Sequence, residues 1–283
     1  MTTVGLVGAG HMGSALGAVL REGGHAVVTT VAARSPRTAK LAHEAGIRAL
    51  PGLDDVVSAA SIVLVVTPPE AATRAAADIV AACAATAARP LVADLNAVAP
   101  STMEGVARLL ADAGLDLVDG SISGAPPTVR PGARIYLSGP RAREVAALGW
   151  RRVTPVVVGD AIGTASAIKM CTASVYKGVT GILTQALRTA AHHGVAEHVL
   201  ADLADGGYEP AHRIAVAATK AWRFVPEMRE IAATQAGAGL PRELFEAMAV
   251  VYEQLALTDL AHGDPESVDF TDSPTQIVAR LTG

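Results

Sequence analysis

The sequence predicts an α/β fold in which an N-terminal doubly wound sheet is followed by an all-helical C-terminal domain. A glycine-rich turn follows the first apolar run, and short apolar runs then alternate with alanine-rich segments. This alternation is typical of parallel βαβ units. Strand signals largely stop at Ala161. We therefore place the sheet domain in residues 1–160 and the helical domain in residues 161–283.

The composition suits such a fold and argues against several classes of function. The 283 residues are enough for two domains, and 51% of them are hydrophobic although only 3% are aromatic. A net charge of -4 offers no electrostatic basis for binding nucleic acid. The apolar run from Ile62 to Val66 is far too short to span a membrane.

Cysteine and histidine usage predicts a cytoplasmic protein without a bound metal. Cys83 and Cys171 lie far apart, which matches neither a disulfide framework nor a metal-binding spacing. The opening MTTVGLVGAG lacks the basic segment of a signal peptide. The cluster of histidines near residue 195 has no acidic or cysteine partner at ligand spacing, so solvated or capping roles suit it better than metal binding: His192, His193 and His198.

A glycine motif lies at the first turn of the sheet domain. Between a predicted strand, Val4–Val7, and a predicted helix, Ser14–Glu22, the chain reads Gly8-Ala9-Gly10-His11-Met12-Gly13. In this context Gly8 permits a tight turn, Gly10 lets a pyrophosphate approach the backbone, and Gly13 lets the helix pack on the strand. The motif therefore predicts a dinucleotide-binding domain of the Rossmann type.

The end of the second predicted strand, Ala26–Ala32, indicates which dinucleotide is bound. Domains that bind NAD usually have Asp or Glu there to bond the ribose 2′-OH. This chain has no carboxylate at that point and offers Arg34, Ser35 and Arg37 instead. Because arginine pairs bidentately with phosphate, the loop favours the 2′-phosphate of NADP. The alternative is a solvated loop with two surface arginines.

Polar residues also follow two later strands. Thr67 and Pro68 follow the run that begins at Ile62, and Asn96 follows the run Leu91–Leu95. Ligands of open α/β sheets bind at the carboxyl ends of the strands, so we expect these three residues to line the cofactor. Their alternative roles are a turn and a helix cap.

A small-residue loop follows the strand predicted at Leu117–Asp119. Ser123-Gly124 presents a hydroxyl and accessible backbone N–H groups, a combination that can hold a carboxylate. A plain turn is the alternative. Two further predicted strands, Arg134–Ser138 and Val153–Val158, complete the sheet.

The helical half opens with the longest helical pattern of the chain, from Ile162 to about His193. A helix of this length spans about 45 Å, so we expect it to be shared between the subunits of a homodimer. It carries Lys169, for which an ordinary solvated charge is the alternative role. Shorter helical patterns and a polar tail from Asp264 follow: Ala196–Ala204, Ala211–Ala221, Val225–Ala238 and Pro241–Gly263.

Taken together, these motifs resemble the β-hydroxyacid dehydrogenases. The glycine motif resembles the cofactor loop of this family, and Arg34-Ser35 resembles the loop of its NADP-using members. Asp119–Ala125 is similar to the family's substrate loop, D-x-P-V-S-G-G. Lys169, six residues after Gly163, falls at the lysine of the family motif G-x5-K-x3-N. The runs DLNAVAP and KMCTASVYKG are most similar to a phosphogluconate dehydrogenase-like NAD(P)-binding subgroup.

The chain departs from the family pattern at three places. Ala173 stands where the family has Asn, Ala125 replaces the second glycine of the substrate loop, and Asn96-Ala97 stands where many members have Ser-Thr. The His-Asn pair of phosphogluconate dehydrogenases proper is absent after Lys169. Phosphogluconate itself is therefore not expected as the substrate.

The resemblance implies an NADP-dependent oxidoreductase that transfers hydride between NADP(H) and a small 3-hydroxy acid or its carbonyl partner. Lys169 would act as general acid/base and must be neutral before it accepts the hydroxyl proton. Ser123–Ala125, Thr172 and Lys177 would bind the substrate. Tyr176 stands where phosphogluconate dehydrogenases carry the acid that protonates an enol, so decarboxylation stays open.

Two other functions stay open at this stage. Imine reductases are related by fold but generally carry Asp or Tyr in place of the lysine, so Lys169 argues against that activity. A non-catalytic nucleotide-sensing protein is compatible with Ala173 in place of the family Asn. Turnover of a hydroxy acid would exclude the sensing role.

Overall fold

The computed structural model of the protein describes residues 2–263, 268–269 and 271–282. The chain divides into two compact units, Met1–Met170 and Cys171–Gly283. This division falls inside the long helix, whereas the sequence prediction ended the first domain at residue 160. The predicted domain limits stay a prediction.

The first unit is an eight-stranded sheet flanked by helices. Its strands are β1 (Thr3–Val7), β2 (Ala26–Thr30), β3 (Arg48–Leu50), β4 (Ile62–Val65), β5 (Leu91–Asp94), β6 (Leu117–Ser123), β7 (Ala133–Ser138) and β8 (Val153–Gly159). Its helices are α1 (His11–Glu22), α2 (Pro36–Glu44), α3 (Leu53–Ala59), α4 (Ala72–Thr86), α5 (Pro100–Asp112) and α6 (Ala142–Ala146), with a 3₁₀ turn at Pro69–Ala71.

The strand order is β3-β2-β1-β4-β5-β6-β7-β8. Among the described residues, neighbouring strands pair in parallel except β6 and β7, which pair antiparallel. The first six strands therefore have the doubly wound order of a dinucleotide-binding fold. Together with the helical second unit, this order confirms the predicted fold class.

The sheet has a hydrophobic core on each face. All residues of β4 and β5 are buried, as expected for parallel strands covered on both sides. Leu16 and Leu20 of α1 pack on one face together with Val145 of α6. Ile79 of α4 and Met103 of α5 belong to the core on the other face. This two-sided burial explains why the central strands are continuous apolar runs in the sequence.

Three features of the first unit differ from the sequence prediction. Strand β6 continues to Ser123 instead of ending at Asp119, because β7 pairs with it along that length. Strand β3 was not predicted, since it is a short edge strand that is mostly exposed and lacks an apolar run. Helix α1 begins at His11, so the last residues of the glycine motif form its first turn.

The second unit consists of helices. Helix α7 (Thr164–His192) enters it from the first unit, and α8 (Ala196–Asp205), α9 (Pro210–Ala218), α10 (Ala221–Gly237), α11 (Glu243–Leu255) and α12 (Pro274–Leu281) follow. A 3₁₀ turn lies at Asp259–Ala261. No helix of the described residues is long and apolar enough to cross a membrane.

The sequence predicted a polar tail from Asp264, but Pro274–Leu281 forms a further helix, α12, so this prediction is wrong there. Residues 264–267 and 270 lie outside the described residues. In α12, Ser273 and Gln276 form a capping box at the N-terminus. Ile277, Val278 and Leu281 are buried on one side of the helix, so a short amphipathic pattern was missed within a polar segment.

Candidate active site

The glycine motif forms a tight turn between β1 and α1. Gly8 has a φ of 97°, and a Cβ atom there would lie 2.2 Å from the carbonyl oxygen of Val66. A Cβ atom at Gly13 would lie 2.0 Å from the carbonyl oxygen of Gly8. At Gly10 nothing lies within 4 Å of the place of a Cβ atom. Larger side chains are therefore excluded at Gly8 and Gly13, and a ligand can approach the backbone at Gly10.

A cavity of about 750 Å³ opens beside this turn. It brings together Gly8, Arg34, Thr67 and Pro68, which the sequence predicted as cofactor residues, and it is large enough for part of a dinucleotide. Arg74 of α4 also lines the cavity. The sequence analysis missed Arg74 because it lies in an alanine-rich helix without a motif.

The predicted phosphate loop leads directly into α2. Arg34 is exposed, and Arg37 lies in the first turn of the helix. The Ser35 hydroxyl caps this helix by accepting a hydrogen bond of 3.2 Å from the Thr38 amide. Two arginine residues thus flank the N-terminal end of a helix, an arrangement that suits a phosphate group.

Three buried polar groups meet at the ends of β4 and β5. The backbone N–H of Thr67 donates to Asn96 Oδ1 at 2.6 Å, and the backbone N–H of Asn96 donates to Asp94 Oδ1 at 2.9 Å. Thr67 Oγ1, Asn96 Nδ2 and Asp94 Oδ2 have no hydrogen-bond partner among the described residues. Because buried polar groups are normally satisfied, these atoms fit contacts to a polar ligand or to water.

Asp94 is the acid of this group, and its pKa is strongly raised. Its carboxyl is 1% exposed, and this burial raises its pKa to about 7. The neighbouring Asp119 adds repulsion, whereas the hydrogen bond from the Asn96 amide opposes the shift. The sequence offered no sign of this, because the effect depends on burial and on a neighbouring strand.

Asp119 joins β6 to the start of α7. Its Oδ2 accepts hydrogen bonds from the amides of Gly163, Ala165 and Ser166 and from the Ser138 hydroxyl. Its Oδ1 accepts a bond of 2.7 Å from the Ser166 hydroxyl. A fully buried carboxylate is thus satisfied by five donors at a helix N-terminus, where negative charge is stabilised.

Lys169 follows one turn later on α7. Its ammonium donates a hydrogen bond of 2.8 Å to the carbonyl oxygen of Ile122 in β6. The next residues are the half-buried Ser123 and the exposed Gly124, the latter with a φ of 123°. The structure therefore places the predicted acid/base lysine beside the predicted carboxylate loop, together with the half-buried Ala125.

The remaining predicted site residues lie on α7 within the second unit. Thr172 and Tyr176 are exposed, the latter with 64% of its surface accessible. Lys177 instead forms an ion pair with the buried Glu227, and its ammonium lies 4.3 Å from the ring centre of Phe224. These contacts give Lys177 a structural role in this unit.

Metal ligands were not expected from the sequence. Within the described ranges, no group of three or more His, Cys, Asp or Glu side chains is arranged to hold a metal ion. Cys83 is buried and Cys171 is exposed, and both are free thiols.

Comparison with known proteins identifies the family. Residues 3–156 match the family model described as the NAD binding domain of 6-phosphogluconate dehydrogenase, which is more than half of the chain. The chain belongs to this family, and with it to the β-hydroxyacid dehydrogenases. Residues 190–255 match a second model, described as a domain of unknown function. No curated protein matches this β-hydroxyacid dehydrogenase family member significantly.

Several solved structures are similar to this family member. A conserved protein described as structurally similar to 3-hydroxyacid dehydrogenases is 28% identical, with a TM-score of 0.65, over 89% of this chain and 96% of the other. The 3-hydroxyisobutyrate dehydrogenase of Mycobacterium tuberculosis, solved with L-serine, is 20% identical over 100% of both chains, with a TM-score of 0.67.

A reductive aminase of Aspergillus terreus, in complex with NADPH and ethyl levulinate, is 19% identical over 94% of this chain and 98% of the other. Its TM-score is 0.55. The likeness to the aminase and to the mycobacterial enzyme concerns the fold alone. Membership of the family makes the first unit an NAD(P)-binding domain and the protein an oxidoreductase.

Proposed function

We propose that the protein is an NADP-dependent oxidoreductase that transfers hydride between NADP(H) and a small 3-hydroxy acid or its carbonyl partner. The observation that carries this proposal is the position of Lys169, whose ammonium lies 2.8 Å from the carbonyl oxygen of Ile122 and next to the Ser123-Gly124 loop. A proton-transfer group and an anion-binding loop are thus adjacent at the end of β6.

Different residues of the chain would transfer the proton and bind the substrate carboxylate. A cofactor held by the Gly8–Gly13 turn would supply the hydride-transfer chemistry. In oxidation, neutral Lys169 takes the hydroxyl proton, and in reduction the protonated lysine returns it to the carbonyl oxygen. The Ser123 hydroxyl and the Gly124 amide bind the substrate carboxylate.

The proposed preference for NADP rests on the loop after β2. Arg34 and Arg37 lie near the start of α2, and the segment that follows β2 up to Arg37 contains no Asp or Glu to bond a ribose 2′-OH. Gly8–Gly13 would hold the pyrophosphate. Thr67 and Asn96 would meet polar groups of the cofactor with the buried atoms that lack partners in the described chain.

Two residues further along α7 extend the proposal. Thr172 and Tyr176 follow Lys169 by three and seven residues, so the three side chains lie on one face of the helix. We propose Thr172 as a further substrate contact and Tyr176 as the second acid. We no longer propose a substrate contact for Lys177, because its ammonium is paired with Glu227.

The proposed reaction is tested with a panel of small 3-hydroxy acids and NADP, and with their carbonyl partners and NADPH. For the best substrate, Lys169→Ala should lower turnover by at least about a hundredfold, since a positioned acid or base contributes roughly 10²- to 10⁴-fold. Lys169→Arg is the matched variant, because it keeps the positive charge but cannot release a proton.

The affinity for NADPH, measured by fluorescence titration, should be nearly unchanged in both lysine variants. Near-normal turnover of Lys169→Ala or Lys169→Arg would contradict the assignment of Lys169. Cyclic imines belong in the same panel, because reduction of imines but not of hydroxy-acid partners would favour an imine reductase. Binding of NADPH without turnover of either class would favour a sensing role.

We also propose a homodimer built on the second unit. Val175 and Ile182 of α7 are 61% and 59% exposed, and seven residues separate them, so they share one face of the helix. Leu244 of α11 and Leu257 after it are also exposed. Exposed apolar residues at this density suit an interface with a second copy of the chain.

A further inference from the structure

The sheet face that carries Asp119 can be followed to the end of β6. Ser138 of β7 donates to Asp119, and Ser121 donates to the carbonyl oxygen of Ala165 in α7. These contacts place the side chains of residues 119 and 121 on the α7 side of the sheet. Because every second residue of a strand lies on the same face, Ser123 lies on this side too.

Arg134 of β7 lies directly opposite Ser123 in the antiparallel pair. Residues opposite each other in such a pair project to the same face, as Ser138 and Asp119 already demonstrate. Their Cβ atoms are about 5 Å apart, which is less than the length of an arginine side chain. The Arg134 side chain is therefore long enough for its guanidinium group to reach the Ser123-Gly124 loop.

Unlike Arg141 and Arg152, Arg134 has no side-chain partner among the described residues. Arg141 pairs with Asp116 and Glu144, and Arg152 pairs with Glu22. Arg134 is exposed, and within the described part of the chain it forms no hydrogen bond or ion pair. Its five N–H donors are thus available for a ligand.

We propose that Arg134 binds the substrate carboxylate together with Ser123 and Gly124, and that it restricts the substrates to organic acids. A guanidinium group matches a carboxylate bidentately, whereas the hydroxyl and amide of the loop each supply a single donor. A neutral ketone or imine cannot form this charged contact. The inference rests on the proposed function, because it concerns the substrate of the reaction assigned to Lys169.

The kinetic test compares each acid substrate with its uncharged methyl ester. Arg134→Ala should raise KM for the acid at least about tenfold with little change in kcat, because it removes a charge-assisted contact present in ground and transition states. KM for the ester should not change. Arg134→Lys should restore part of the affinity, since it returns the charge without the bidentate geometry.

Arg143→Ala is the control for a general loss of positive charge. Arg143 is exposed on α6, and KM should stay unchanged in this variant. An equal rise in KM for the acid in Arg134→Ala and Arg143→Ala would overturn the specific role of Arg134. So would an equal rise for acid and ester.

A binding test separates this inference from the proposed reaction. Malonate, an unreactive dicarboxylate, is titrated calorimetrically into the NADPH-saturated protein. The unmodified protein should bind malonate, and Arg134→Ala should bind it at least about tenfold more weakly. Absence of malonate binding, or equal binding by both proteins, overturns the inference. Arg134-dependent binding without turnover of any hydroxy acid would overturn only the proposed function.

Discussion

The pKa of Asp94 depends on burial and on the groups that surround its carboxyl. Its side chain is buried at the end of β5, and Asp119 is its register partner on β6. Asp119 receives five hydrogen bonds, whereas Asp94 receives one. A single donor does not offset the burial of the Asp94 carboxyl, so its pKa is raised well above the usual range for aspartate.

We predict that Asp94 makes the stability of the fold depend on pH. Its pKa is raised from 3.8 to about 7 in the folded protein. Between these values the folded state holds a proton that the unfolded chain has released, so stability falls as pH rises through this window. Above it, the folded protein carries the full cost of a buried charge, which is of order a few kcal/mol.

Asp94→Asn should therefore be more stable than the unmodified protein at pH 8 and should lose most of this advantage at pH 5. Urea unfolding of both proteins at the two pH values measures the difference. Asp112→Asn is the control, because Asp112 is exposed at the end of α5. An effect of Asp94→Asn that is the same at pH 5 and pH 8 would exclude this role.

A second prediction at this scale concerns Arg34. Arg34→Glu should weaken NADP binding by at least about 2 kcal/mol, because it replaces a charge-assisted phosphate contact by repulsion. NAD affinity should change much less. Titration of both cofactors into the variant and into Arg108→Glu, an exposed control on α5, measures the effect. Equal affinities of the unmodified protein for NAD and NADP would contradict the proposed preference.

At the scale of secondary-structure elements, the start of α7 is held by Asp119. The amides of Gly163, Ala165 and Ser166 have no partners within their own helix turn, and the carboxylate satisfies all three. This attachment also sets the position of Lys169 against β6, because Lys169 lies on the next turn and contacts Ile122. The helix start and the proposed acid/base group thus form one structural feature.

We predict that Asp119→Asn destabilises the protein by about 1–3 kcal/mol. The side-chain NH₂ of the asparagine would face buried donors with which it cannot form hydrogen bonds. Ser166→Ala removes one of the five donors and should cost about 1 kcal/mol. Ser58→Ala is the control, since the Ser58 hydroxyl donates to a backbone oxygen on the exposed surface of α3.

Thermal and urea denaturation of the three variants test this ranking, and turnover tests the link to Lys169. Asp119→Asn should lower kcat more than it weakens NADPH binding. If Asp119→Asn were no less stable than Ser58→Ala, the carboxylate would not anchor α7.

At the scale of the whole molecule, the proposed homodimer is the feature most open to direct test. Sedimentation at micromolar concentration should give a dimer. Val175→Glu with Ile182→Glu should give a monomer, because two buried charges in an apolar interface are costly. Val129→Glu is the matched control, since Val129 is an equally exposed apolar residue in a loop of the first unit. A monomeric unmodified protein would contradict the proposal.

The sequence by itself determined the fold class and most elements. A buried parallel strand, a glycine turn and a long amphipathic helix each have a local pattern, and these patterns predicted β1, β4, β5, α7 and the order of sheet and helical parts. It also singled out Lys169 and Ser123, which the structure brings close to each other. Edge strand β3 and helix α12 were missed because their local patterns are short or polar.

Only the tertiary structure decided which side chains meet. Asp119 and Ser166 are separated by 47 residues, yet they share a hydrogen bond. The antiparallel pairing of β6 with β7 extended the strand to Ser123 and placed Arg134 opposite it. Propensity and periodicity report on the immediate neighbours of a residue, whereas burial, strand register and the pairing of charges arise from contacts between distant parts of the chain.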